Sequence, residues 1–358
     1  MRQKIFVHIG PHKTGTSSLQ RFLYANHQAL LKLGVCYPTG HLGGRHAQHR
    51  FAFSVRGKTD PKDGKVPPRD VEFAPIFDEI SASGADTAIL SSEAFFATDE
   101  REIRVLHQSL RDFDPVVVFY ARRQDEGYVS SFTQRSKSAT NRYMLPIHAH
   151  LDDPVRMGRD LAIHEHASTW ARVFGKENVV ARLYGKGINV PDDFLRCIDE
   201  RRGMGPVLAT AKEQFVTDKT FNISPSLEAT EMTRLFKAQC DNQEQRRLAF
   251  KLLSKHLAGG RPAARLLSTA DRRAILEFFR DSNEKLFREF FSSENRFAPE
   301  LLLQGPETER ETLTLDDTIP IIVDLIGRQV AAERATTRAK ARRLLNRCWR
   351  LFGRRRKA

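Results

Sequence analysis

"HIGPHKTGTSSLQ", residues 8–20, holds two glycines, Gly10 and Gly15, at the spacing of the phosphate-loop pattern G-x-x-x-x-G-K-[ST]. That pattern requires a lysine directly after the second glycine. Here position 16 is threonine and the lysine is at 13. Upstream, KIFVHIG reads as a short buried strand over residues 5–9. Downstream, Leu19, Phe22, Leu23, Leu30 and Leu33 fall at offsets 0, 3, 4, 11 and 14, one face of a helix. Ser17 and Ser18 suit its N-terminus and Gly34 its stop. The loop therefore joins a strand to a helix, the context in which such a loop binds phosphate.

The rest of the chain extends this alternation. GVCYP predicts a second short strand. Residues 38–75, rich in Gly, Pro and His, read as a long loop. TAILSSE predicts a third strand ending near Ser91, and DPVVVFYAR a fourth, continuously apolar as buried parallel strands are. A helix is expected from about Glu126 to Ala139, another over 160–175, and a last strand in ENVVARLY. From Pro191 to about Phe291 the pattern is helical, with loops near 203–224 and 258–268. There is no internal repeat. The expected fold class is α/β: a P-loop-type parallel β-sheet flanked by helices, with a mainly helical C-terminal half. Residues 1–305 form the expected α/β domain and 306–358 a basic helical or disordered tail.

The 358 residues, 40% of them hydrophobic, suffice for a sizeable core. No stretch of 18 apolar residues predicts a transmembrane helix, and no leader pattern opens the chain. Cys36, Cys197, Cys240 and Cys348 form no CxxC pair, which suits reduced thiols in a cytoplasmic protein. The net charge of +14 first suggests nucleic acid, but residues 328–358 alone carry +11, leaving +3 for the body. Nucleic acid is therefore not the expected partner.

A glycine-spaced turn before a helix brings backbone N–H groups close to an anion, and the helix N-terminus adds partial positive charge. Lys13 contributes a full charge, and Thr14, Thr16, Ser17 and Ser18 contribute hydroxyls. An ordinary strand–turn–helix has no reason to stack donors this densely. A Walker site also holds Mg²⁺ with an acid closing a neighbouring strand. Here the fourth strand closes with Arg122 and Arg123, and the third offers Glu93 only after two serines. A site without metal must neutralise its anion with Lys, Arg and N–H groups alone.

HIGPHKTGTSSLQ resembles the 5′-phosphosulfate loop of sulfotransferases that use PAPS (3′-phosphoadenosine 5′-phosphosulfate), in which the lysine precedes the T/S-G-T segment. The family's second signature is an arginine closing a strand and a serine eight residues later, both on the 3′-phosphate. VVVFYARRQDEGYVSSFTQ places Arg122 and Ser130 so; Arg123 with Ser131 is the neighbouring register. Arginine suits the task because its planar fork matches phosphate oxygens. ENVVARLYGKG, FNISPSLEA and ILEFFRDSNEKLFREFF resemble later segments of bacterial members that sulfate carbohydrates, so the likeness runs over roughly residues 3–291.

The resemblance implies transfer of a sulfuryl group from PAPS to a hydroxyl of a glycan or related acceptor, without metal. Lys13, Thr14, Gly15, Thr16 and Ser17 are then expected to hold the donor's 5′-phosphate, with Lys13 also catalytic. Arg122 and Ser130 are expected to hold its 3′-phosphate. The base is His or Glu by the same resemblance; His46 and His49 in GRHAQHRFAF and Glu93 in LSSEAFF are the three candidates. The H-x-x-H pair lacks an evident third metal ligand. In the tail, Leu344, Leu345, Cys348, Trp349 and Phe352 share one helical face among arginines. That is the pattern of a helix lying on an anionic membrane surface, here the inner face, or on a partner. A P-loop kinase or NTPase, and a membrane-held nucleotide-binding adaptor that transfers nothing, are the alternatives.

Overall fold

A computed structural model describes residues 2–140, 144–203, 205–216, 225–314, 316–324 and 327. The tail's apolar face and most of its basic run, residues 328–358, lie outside the described residues.

The chain begins with β1 (Lys4–Gly10), α1 (Thr16–Ala25), α2 (His27–Lys32), β2 (Val35–Cys36), α3 (His49–Arg56), α4 (Arg69–Ala82) and β3 (Thr87–Ser91). Then come α5 (Glu100–Ser109), β4 (Asp114–Arg122), α6 (Gln124–Lys137), α7 (Ile163–Phe174) and β5 (Val179–Tyr184). Helices α8 (Val190–Arg202), α9 (Val207–Thr210), α10 (Leu227–Gln239), α11 (Gln243–His256), α12 (Thr269–Phe278) and α13 (Arg280–Leu286) follow. The five strands form one parallel sheet in the order β2-β3-β1-β4-β5. This is the expected α/β fold class.

Strand periodicity divides the sheet between two cores. Ile5, Val7 and Ile9 of β1 join Leu90, Val117 and Phe119 on one face, under Ile103, Ile163 and Trp170. Phe6, Ile89, Val118 and Tyr120 face the other way, onto Leu19 and Leu23 of α1 and Phe194 and Ile198 of α8. A third core joins Tyr128 and Phe132 of α6 to Leu227, Leu266 and Ile275 of the helical half. Because every strand runs parallel, Gly10, Ser91 and Arg122 end on the same edge of the sheet. The order also reverses there, since β3 and β4 lie on opposite sides of β1. In open α/β sheets that edge is where ligands bind.

Two expectations need correction. The helix expected from Leu19 to Leu33 is broken at Asn26. This buried side chain bonds the Phe22 carbonyl (2.9 Å) and both the carbonyl (3.0 Å) and N–H (2.7 Å) of Val216, so its tertiary bonds fix the break. Residues 38–75 are not one loop. They contain α3, which buries Phe51, Ala52 and Val55 and stops at the left-handed Gly57, and the start of α4. What remains of the loop is laced by ion pairs, Arg45 to buried Asp60 and Arg50 to Asp63 and Glu72. Beyond residue 305, the Thr308 carbonyl accepts from the Thr269 N–H (2.9 Å) and Arg310 pairs with Asp271. The segment just past the expected domain boundary is thus bonded to the body.

Candidate active site

The loop between β1 and α1 needs both its glycines. Gly10 has φ 101°, and a Cβ there would sit 3.1 Å from the Cα and Cβ of Glu93. Gly15 has φ 78°, and its Cβ would sit 2.7 Å from Val190 Cγ2. A Gly15→Ala protein is expected to lose about 1–3 kcal/mol of stability from the left-handed backbone and the overlap. Chemical denaturation measures it, and a second change, Val190→Ala, should restore the overlap part only. A single mutant as stable as the parent would show that the loop has room.

Lys13 has φ 67°, an uncommon backbone for a non-glycine residue and one that tends to mark functional loops. Thr14 is buried and its hydroxyl donates to the Pro11 carbonyl at 2.7 Å, so it holds the loop's shape. Thr16 is buried, and Ser17 is exposed at the start of α1. No side chain caps α1 and no acid lies in its first turn. The Ser18 N–H already bonds the Gly15 carbonyl (3.0 Å), which leaves those of Thr16 and Ser17 without an intrahelical acceptor, as an anion site requires.

The two arginines after β4 divide their work. Arg123 forks onto buried Asp125 at 2.7 and 3.0 Å, and Asp125 also takes Arg272 at 2.6 Å. Arg122 turns to the loop: its Nη1 donates to the Lys13 carbonyl at 2.8 Å, and its guanidinium lies 5.2 Å from the centre of the Tyr184 ring. Ser130 is half-buried on α6, while the neighbouring Ser131 hydroxyl faces Gly158. Of the two possible registers, Arg122 is the arginine at the loop. Lys137, which no sequence motif marks, is half-buried at the last turn of α6. Burial first, then repulsion from Lys137, holds the Lys13 amine below its ordinary value, with Arg122 adding to this and Glu93 opposing it. Burial also lowers Lys137.

Glu93, whose charge acts on Lys13, is a carboxylate among histidines. Gln20 of α1 donates to Glu93 Oε2 at 2.6 Å; His49 Nε2 lies 3.8 Å from the same oxygen and His12 Nδ1 3.8 Å from Oε1. Burial pushes the Glu93 carboxyl up, but His49, the Gln20 donor and His12 outweigh it, leaving it below its usual range. Burial holds His49 below its ordinary value despite Glu93. His49 Nδ1 meets the Ser92 hydroxyl at 2.8 Å. Buried Gln48 explains this placement: it bonds both the N–H (2.8 Å) and the carbonyl (3.1 Å) of Ser91, clamping the start of α3 to the end of β3. His46 is exposed and packs its ring 4.8 Å from that of Tyr24, away from this cluster. The geometry thus brings His49 and Glu93 together and leaves His46 outside. Gln20 and His12 lie inside the quoted loop stretch, Gln48 between the two candidate histidines and Lys137 just past the second motif, but none carries a sequence signal of its own.

No protein-family model matches the chain. A protein from Archaeoglobus fulgidus, described as an uncharacterized protein, is 29% identical over 219 residues, 58% of this chain. The chain spans about half, 55%, of that relative's length. Among solved structures, a sulfotransferase from Alicyclobacillus acidocaldarius is similar at a TM-score of 0.42 and 18% identity, over 70% of this chain and 95% of that one.

Proposed function

We propose that the chain is a sulfotransferase that moves a sulfuryl group from PAPS to a hydroxyl of a glycan or related acceptor. The observation that carries this reading is the environment of Lys13. Its half-buried amine is attracted by the Glu93 carboxylate and repelled by two further cations, Lys137 and Arg122, on a loop that leads into an uncapped helix N-terminus. Cations gathered this way repel one another and gain stability from an anion placed among them. That donor set fits a nucleotide carrying separate phosphate groups. Lys13, Gly15, Thr16 and Ser17 would hold its 5′ end, and Arg122 with Ser130 its 3′-phosphate.

The donor, when bound, supplies a sulfuryl group on a phosphate that leaves with the electron pair of the broken S–O bond. Lys13 neutralises the charge that then grows on the leaving oxygen. One member of the Glu93–His49 pair takes the proton from the acceptor hydroxyl as its oxygen bonds to sulfur, and the other steadies the charge that results. Gln20 and His12 orient Glu93, and Ser92 orients His49. A kinase-like reading draws on Glu93, which follows the strand next to β1 as a magnesium-binding acid does. Against it stands the Gln20 amide on that carboxylate.

Calorimetry separates the readings. The protein should bind 3′,5′-bisphosphoadenosine more tightly than AMP by about 1.5–3 kcal/mol, the worth of a charge-assisted phosphate contact. Magnesium should leave both affinities unchanged. Equal affinities, or tighter binding of magnesium ATP, would overturn the proposal. Transfer of label from PAPS to hydroxyl acceptors then distinguishes an enzyme from a protein that only binds the nucleotide.

A further inference from the structure

We propose that Lys137 is a second cation of the donor site, gripping together with Lys13 one oxyanion of the bound nucleotide. The inference rests on the sulfotransferase reading for the identity of the nucleotide, but not for the existence of the anion site.

Helical spacing starts the case. Glu126, Ser130 and Lys137 are separated by four and then seven residues, so they line one face of α6. Glu126 meets Arg122 at the head of that face, and Arg122 holds the Lys13 carbonyl. The loop is thereby fastened to the start of α6. Further along that helix, Lys137 repels the Lys13 ammonium. Lys137 lies on the stripe that includes Ser130, on the far side of it from Arg122.

The end of α6 shows what Lys137 does not do. A lysine in the last turn of a helix commonly bonds the final carbonyls. Here two cations from neighbouring helices do that work. Buried Lys237 donates to the carbonyls of Arg135 (3.1 Å) and Ser138, and buried Arg246 donates to that of Ala139 (2.6 Å). The backbone around Lys137 is thus held from outside, while its own amine has no hydrogen bond or ion pair with a described residue; the same holds for the Lys13 amine. Two half-buried ammonium groups that repel one another are costly, and Glu93 offsets that repulsion only in part. A ligand oxyanion between them removes that cost, and a bound phosphate or sulfate gains two charge-assisted contacts.

Titration calorimetry on the full chain tests this with two probes, 3′,5′-bisphosphoadenosine and inorganic pyrophosphate. Lys137→Met keeps the apolar stem and removes the charge; Lys137→Arg keeps a cation. The methionine variant should bind both probes about 10- to 100-fold more weakly, and the arginine variant should recover most of the loss. Unfolding midpoints should stay near the parent's, since no partner is lost. If the parent binds bisphosphoadenosine and Lys137→Met binds it equally well, Lys137 is outside the site and the sulfotransferase reading stands. If the parent binds only pyrophosphate and the methionine variant loses it, the anion site stands and the nucleotide assignment falls. If the parent binds neither probe, both fall.

Discussion

Under the proposed function, replacing Lys13 by alanine should slow sulfuryl transfer by roughly 30- to 900-fold, about 2–4 kcal/mol of transition-state stabilisation. That is the scale of one preorganised donor aimed at a charge that grows during reaction. The substitution is clean for three reasons. Both residues carry a Cβ, so the left-handed backbone at φ 67° is equally unfavourable before and after. The amine makes no hydrogen bond or ion pair with a described residue, so no partner is orphaned. Removing a half-buried charge also relieves its repulsion with Lys137 and Arg122. Folding stability should therefore hold or rise while single-turnover transfer falls. Lys13→Gly should be more stable still, because glycine adopts this backbone without strain. Transfer at the parental rate in Lys13→Ala would remove the loop from the chemistry.

Acidification should destabilise the fold through His8, by about 3 kcal/mol between pH 6.5 and 4. His8 lies in the central strand, fully buried, with its Nδ1 2.8 Å from the Ser91 hydroxyl and no partner for Nε2 among the described residues. Burial pulls its pKa down to about 4, and Glu93 opposes this only partly. The folded chain therefore keeps His8 neutral while the unfolded chain takes up a proton below the ordinary value. The contribution is fully present above pH 6.5 and is lost as pH falls through the folded value of about 4. His8→Asn retains an amide near the Ser91 hydroxyl and removes the titration. Urea unfolding from pH 7 to 4 should show the parent losing stability more steeply than His8→Asn. Parallel curves would show that His8 is not the group responsible.

The edge of the sheet was legible in the sequence because its signals are local. A run of apolar residues, two glycines five apart and a 3.6-residue apolar face place β1, the loop and α1 without reference to anything distant. The same holds for β4 and the start of α6, hence for Arg122 within one residue of register. Helix α3 was hidden because Gly, Pro and His around it outweigh eight helical residues, and its support comes from Gln48 bonding Ser91.

What joins residues far apart in the chain had no local signal. Pattern alone put His46 and His49 on equal terms; the Gln48 clamp brings His49 to Glu93 and leaves His46 on Tyr24. Arg122 and Arg123 are likewise indistinguishable until buried Asp125 claims one and the Lys13 carbonyl the other. Lys137 reads as an ordinary last-turn lysine, and only the packing of α10 and α11 against the end of α6 leaves its amine without a carbonyl to bond. Periodicity determines which faces are buried, while the partner of each polar group depends on where separate elements meet, and that is set by the order of strands in the sheet and the packing of helices across it.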